Sequence, residues 1–201
     1  MKNSTQESDS VRIAFIRQPD KINIFLKIGI MIARKQTGRD LLVPKLLAWV
    51  PKVAISSGIL ESLIAHGDHD LSSRMLKLIR IQTSLTVSCP FCIDMNTFGY
   101  QDDMITDDEI AMLQGLKTRN EVPSFSDKEL IVLDYVKALC ASPIKMPKEV
   151  SDRLIQNFSE REIVIMASTV AQVDYWARLI QGLGVPPEGF MDQCAIPNIK
   201  R

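Results

Sequence analysis

Apolar positions recur at helical spacing along most of the chain, and no stretch alternates polar and apolar residues between turns. The fold class this predicts is all-α. Residues 1–10 are polar and mixed in charge and read as a tail. Over residues 20–35, Ile24, Ile28, Met31 and Ile32 form a helical stripe, with Gly38 placed to end it. A second apolar run, residues 41–60, contains Pro44 and Pro51, which predicts two short helices rather than one long one. Residues 61–70 carry His66 and His69 around Gly67 and read as a helix end and a turn. Residues 73–87 place Met75, Leu78, Ile79, Gln82 and Leu85 on one face. Helix fits this segment better, although Ile81, Thr83, Thr86 and Val87 also suit a strand.

Three later helices announce themselves with a capping box, in which a Ser or Thr caps the fourth residue's N–H and a Glu reaches back. They start at Thr106 with Glu109, Ser126 with Glu129, and Ser159 with Glu162. The first ends near Gly115. The second carries Leu130, Leu133, Val136 and Cys140 and stops before Pro143. The third carries Ile163, Met166, Val170, Val173, Ala177 and Ile180 and closes at Gly184. Between the last two, Pro147 opens a helix with Val150, Leu154 and Phe158 inward, and the chain beyond Gly184 is extended. Leu71-Ser72-Ser73-Arg74 echoes Phe158-Ser159-Glu160-Arg161, a trace of duplication or simply two similar helix starts.

The most informative stretch is Ser88-Cys89-Pro90-Phe91-Cys92-Ile93-Asp94-Met95-Asn96, lying between two apolar helical runs. Proline is favoured at the first helical position, so Cys89 becomes the N-cap and Cys92 falls in the first turn of a helix over residues 90–100. Unpaired N–H groups and the positive end of the helix dipole stabilise a thiolate there. Thiol pKa values fall from about 8.5 towards roughly 3.5–7.5 in such settings.

Composition narrows the rest. The 201 residues suffice for one domain with a proper core, and 24 basic residues balance 24 acidic ones. No basic field speaks for nucleic acid or an anionic membrane. The longest apolar-rich run, residues 22–33, includes Asn23 and Lys27 and is too short for a bilayer, which needs about 20 residues. It reads as a core or interface helix. The N-terminus does not resemble a signal peptide, and four cysteines do not make a secreted disulfide framework, so a cytoplasmic location is expected.

The paired cysteines admit three explanations. A zinc site asks for two more Cys or His ligands. Cys140 and Cys194 are single and distant, and His66 and His69 form no matching pair beside another cysteine. Two buried structural thiols are the second reading. A redox dithiol is the third and the favoured one, since this spacing on a helical turn brings the sulfurs within bonding reach.

The stretch from Leu78-Ile79-Arg80 through Cys89-Pro90-Phe91-Cys92-Ile93-Asp94-Met95-Asn96 resembles the core of the AhpD-like alkylhydroperoxidase and carboxymuconolactone decarboxylase family. Phe125-Ser126-Asp127-Lys128-Glu129-Leu130 and Gly182-Leu183-Gly184-Val185-Pro186-Pro187-Glu188-Gly189 resemble it too. The likeness covers residues 44–190. It divides the chain into a tail and extension helix over 1–40, an AhpD-like domain over 41–190 and a C-terminal tail over 191–201. It implies an all-α helical bundle with the CxxC at a helix N-terminus, assembled as a homo-oligomer. Implied too is a small-molecule peroxide or disulfide as substrate, a reductant of unknown identity, and no cofactor or metal. In that scheme Cys92 attacks peroxide to become a sulfenic acid, and Cys89 resolves it to a disulfide.

The departures weigh as much as the match. The family's peroxidase pattern places a glutamate twelve residues before the first cysteine, where this chain has Lys77. Histidines belong just before and four residues after the second cysteine, where it has Phe91 and Asn96. Asn96 hydrogen-bonds but cannot act as a base. Auxiliary candidates are therefore Asn96 and Lys77, the latter as an electrostatic partner of a thiolate or as part of a solvated face. Asp94 is a base or a helix-surface carboxylate, and His66 or His69 is a relocated base or an exposed loop residue. Cys140 reads as packing, Cys194 as an exposed thiol, and Tyr175 and Trp176 as core, pocket lining or subunit contact. Two other functions stay open beside the dithiol enzyme: a binding or assembly module that kept the fold and lost the relay, and a carboxymuconolactone-type decarboxylase.

Overall fold

The computed structural model describes residues 14–63 and 70–190, with the Leu63 side chain left aside. Among them are nine α-helices and no strand. The first three are α1 (Ile24–Thr37), α2 (Leu42–Leu47) and α3 (Pro51–Leu63). Next come α4 (Ser73–Thr86), α5 (Pro90–Thr97) and α6 (Asp107–Leu113). The last are α7 (Asp127–Leu139), α8 (Lys148–Asn157) and α9 (Glu160–Leu183). Single 3₁₀ turns, Tyr100–Asp103 and Arg119–Glu121, flank α6. The expected tails over residues 1–10 and 191–201, together with His66, His69 and Cys194, lie outside the described residues.

The capping boxes at Thr106, Ser126 and Ser159 all form, each with its serine or threonine oxygen accepting from the Glu N–H. Ser72 caps α4 in a similar way, accepting from the Met75 N–H at 3.1 Å. The echo between residues 71–74 and 158–161 thus falls on two serine-capped helix starts. The strand alternative for residues 81–87 fails because their hydroxyls are satisfied within a helix. Thr83, Ser84 and Thr86 each donate to the carbonyl four residues back, at 2.7–2.8 Å.

α4 is the central helix, packed by α5, α7 and α9. One apolar cluster joins α4, α7, α8 and the first half of α9 through Ile79, Val132, Leu154 and Met166. Another joins α4 to α6 and α7 through Leu78, Ile105, Ile110 and Leu133. The third surrounds the cysteines and draws on α2, α5 and the end of α9. α9, 24 residues long and apolar enough to cross a bilayer, here serves as a core helix. Its apolar face is mostly used internally, with Val164 its one large apolar side chain left exposed among the described residues.

Two expectations need correcting. The cysteine helix ends at Thr97 rather than near residue 100, because Gly99 turns the chain with φ +66°. Asp94 is no surface carboxylate. It is buried, and its Oδ2 accepts from the backbone N–H of Glu188 at 3.1 Å and of Phe190 at 3.0 Å. Arg39 grips the same segment, donating to the Glu188 and Gly189 carbonyls at 2.9 and 2.7 Å with its guanidinium over the Phe190 ring. Removing the acceptor of one buried and one part-buried donor costs about 1–3 kcal/mol. Asp94→Ala should therefore lower stability by that amount and loosen residues 185–190. Limited proteolysis should then cut after Gly184, and resistance equal to the parent protein would contradict this latch.

Candidate active site

The site begins at the turn between α4 and α5. The Ser88 N–H donates to the Leu85 carbonyl at 3.1 Å, and Ser88 itself takes a left-handed φ of 51°. That reversal lets the Cys89 N–H reach the Ser84 carbonyl at 3.2 Å and leaves Cys89 extended as the N-cap of α5. Its sulfur accepts from the Cys92 N–H at 3.3 Å, and Pro90 opens the helix, as the motif predicts. The Cα atoms of Cys89 and Cys92 are 5.2 Å apart and the two sulfurs form a disulfide. Cys89 is wholly buried, whereas Cys92 reaches a cavity of about 280 Å³.

Six helices wall that cavity, and most of its lining is apolar. α1 gives Leu26, Ile30 and Ala33, α2 gives Val43 and Leu47, and α9 gives Val173 and Ile180. Phe91 occupies the wall where the relay histidine of the resemblance would sit. The polar groups on its wall include Glu61 from α3, Arg80 from α4, Asn96 from α5, and Gln172 and Trp176 from α9. Glu61 Oε2 accepts from Trp176 Nε1 at 2.7 Å and Gln172 Nε2 at 2.8 Å. Burial pushes the Arg80 guanidinium below its ordinary value, opposed by the charges of Glu61 and Asp103.

The sequence candidates distribute unevenly around this cavity. Asn96 lines it, with its amide N–H donating to Ser84 Oγ at 2.9 Å. Trp176 lines it too, and the Tyr175 and Ser57 hydroxyls share a hydrogen bond at 2.7 Å nearby. Lys77 is neither a partner of the cysteines nor a solvated residue. It is half-buried, off the cavity lining, and donates to the Phe98 carbonyl at 2.6 Å. Burial lowers its ammonium from the ordinary value, with neighbouring Asp103 acting against that shift. Asp94 is committed to the backbone beyond α9. Cys140 packs at the end of α7, its thiol pushed up to about 11 by burial, then by Asp174, against a Thr83 hydrogen bond. A thiol so placed is inert near neutral pH.

Sequence reasoning missed Glu61, Arg80 and Gln172. A signal for Glu61 does exist. Ala54, Ser57, Gly58 and Glu61 fall at i, i+3, i+4 and i+7 on α3, a face of small residues ending in a carboxylate.

No protein-family model matches the chain. Among curated proteins, the uncharacterized protein YdfG of Bacillus subtilis is 28% identical over 109 residues, 54% of this chain and 72% of YdfG. The alkylhydroperoxidase AhpD core of an uncharacterized peroxidase-related protein from Ralstonia eutropha superposes with a TM-score of 0.72 at 14% identity. That match covers 89% of this chain and 94% of the other. The debrominase Bmp8, crystallised as a variant with 2,3,4-tribromopyrrole, superposes with a TM-score of 0.70 at 16% identity, over 83% and 87% of the two chains.

Proposed function

Since the chain has an AhpD-like fold, we propose that it is a thiol-dependent oxidoreductase that reduces a small apolar hydroperoxide through Cys92 and Cys89. The observation that carries this reading is the asymmetry of the pair. Cys92 opens onto an apolar cavity while its bonded partner is wholly buried and off that lining. An attacking sulfur needs access and a resolving sulfur needs only reach. The Cys92 thiolate gains from the N-terminus of α5, an effect of about 0.3–1 kcal/mol and up to ~2 when partly buried. Cys92 attacks the terminal oxygen of the hydroperoxide and becomes a sulfenic acid, releasing an alcohol. Cys89 then attacks that sulfur, water leaves, and a dithiol reductant reopens the disulfide.

The apolar walls suit an organic hydroperoxide better than hydrogen peroxide. Reduced protein supplied with dithiothreitol should consume cumene hydroperoxide with saturation, faster than hydrogen peroxide at equal concentration. Consumption at the buffer rate for both would reject the reading. The likeness to a debrominase supports a second reading on the same cysteines. There an aryl bromide loses bromide and gains hydrogen while the dithiol becomes the disulfide. Bromide release from 2,3,4-tribromopyrrole without hydroperoxide consumption would favour it.

Assembly as a homo-oligomer in the cytoplasm belongs to the same proposal. α1 has no buried residue, and its outer face exposes Ile24, Phe25, Ile28, Met31 and Ile32, with Phe25 at 77%. A contiguous apolar face of that kind is usual at a partner surface. Light scattering at micromolar concentration should report at least a dimer, and Phe25→Glu with Met31→Glu should shift it toward monomer. A monomeric parent protein would contradict the proposal.

A further inference from the structure

The dithiol reading leaves the Cys92 proton without an acceptor at Lys77, Phe91 or Asn96, and the cavity contains another group suited to the task. We propose that Glu61 is the acid–base group of the site, taking the Cys92 thiol proton and returning it to the departing alkoxide. The inference rests on the dithiol reading and adds a residue from a helix that the motif does not include.

Three observations carry it. Glu61 and Cys92 line the same cavity, from α3 and α5. Trp176 and Gln172 hold one carboxylate oxygen at 2.7 and 2.8 Å, which orients the group and favours its ionised form. The other charged or titratable group lining the cavity among the described residues is Arg80, a permanent cation and never a base. α1, α2 and α9 contribute no charged or titratable side chain to the lining. Arg80 and the Glu61 carboxylate attract one another at the cavity wall.

The step balances. As the Cys92 sulfur forms its bond to the terminal peroxide oxygen, the O–O bond breaks and its electron pair goes to the alkoxide. The thiol proton passes across the cavity to Glu61 and then to the alkoxide. Cys92 is oxidised to a sulfenic acid and the hydroperoxide is reduced to an alcohol. Glu61 ends as it began.

A purely structural Glu61 would tie α3 to α9 and do nothing else, so the test must read a pH profile. In single turnovers with cumene hydroperoxide, the oxidation rate of the reduced parent protein should be flat across neutral pH. In Glu61→Gln it should fall roughly 10²–10⁴-fold at neutral pH. It should then rise with pH until the Cys92 thiol ionises by itself, where the loss of the base no longer limits the step. Glu61→Asp should keep the flat region at a reduced rate. A flat, undiminished profile in Glu61→Gln overturns the proposal. Should Glu61→Gln fail to fold by circular dichroism, Trp176→Phe decides. Losing one donor raises the Glu61 pKa, so the acid limb should move to higher pH, and an unmoved limb overturns the assignment. Oxidation of Cys92→Ser at the parent rate would instead sink the dithiol reading, and this inference with it.

Discussion

Replacing Cys92 with serine is expected to reduce hydroperoxide turnover by about a thousand-fold or more, to the background of the remaining thiols. Removing a nucleophile eliminates the reaction path rather than slowing it. Cys140 offers no substitute, because burial and Asp174 keep its thiol protonated, up to about 11. Cys89→Ser should behave differently. Cys92 keeps its place on the cavity and the first chemical step survives, so one equivalent of hydroperoxide should be consumed per chain. The product should be a sulfenic acid trapped by dimedone, since the buried partner that would close the disulfide is gone. Parent-like turnover in Cys92→Ser, or equal loss of the first step in both variants, would contradict the assigned roles.

The second large effect lies far from the site. Arg74 donates from Nη2 to Glu109 Oε1 at 2.7 Å and from Nε to Glu129 Oε1 at 2.6 Å. These are the carboxylates of two capping boxes, so one guanidinium joins the starts of α6 and α7 to α4. Glu109 is almost fully buried. Burial alone would raise its pKa, but bonds from Arg74, Ser124 and the Thr106 N–H outweigh that and bring it below the ordinary 4.5. Arg74→Ala leaves buried charges unpaired, which costs about 3–5 kcal/mol. That is a large share of the roughly 5–15 kcal/mol typical of a domain.

The pH dependence of this cluster has a definite sign. In the parent protein the depressed Glu109 contributes stability above its unfolded pKa and loses it as pH falls through the folded one. In Arg74→Ala the same carboxyl is buried without its cation, and its folded pKa rises above the unfolded value. Protonation then relieves the variant, so its deficit should shrink on acidification from neutral pH to about pH 4. Urea unfolding at both pH values measures this. A deficit that grows on acidification would contradict the pairing.

These two effects also mark what could be read from residues alone. The capping boxes at Thr106, Ser126 and Ser159 and the Cys89–Pro90 helix start are local chemistry, and each formed where its spacing put it. Local chemistry does not reveal which helices meet. Arg74 finds Glu109 and Glu129 across 35 and 55 residues, and Glu61 finds Gln172 and Trp176 across more than a hundred. Asp94 looked like a surface carboxylate because its partners, the Glu188 and Phe190 N–H groups, arrive from the far end of the chain. The apolar stripe on α1 was legible as a stripe. Its direction was not, since the side chains that turn inward to the cavity, Leu26, Ile30 and Ala33, belong to the opposite face.

The claim that Cys89 and Cys92 act together is tested most directly by peptide mapping after titration with hydroperoxide. Fully reduced protein treated with one equivalent of cumene hydroperoxide should lose two free thiols. Mass spectrometry of the digest should then find Cys89 linked to Cys92 within one chain. Oxidation found at Cys140 or Cys194, with Cys89 and Cys92 still reduced, would contradict the account.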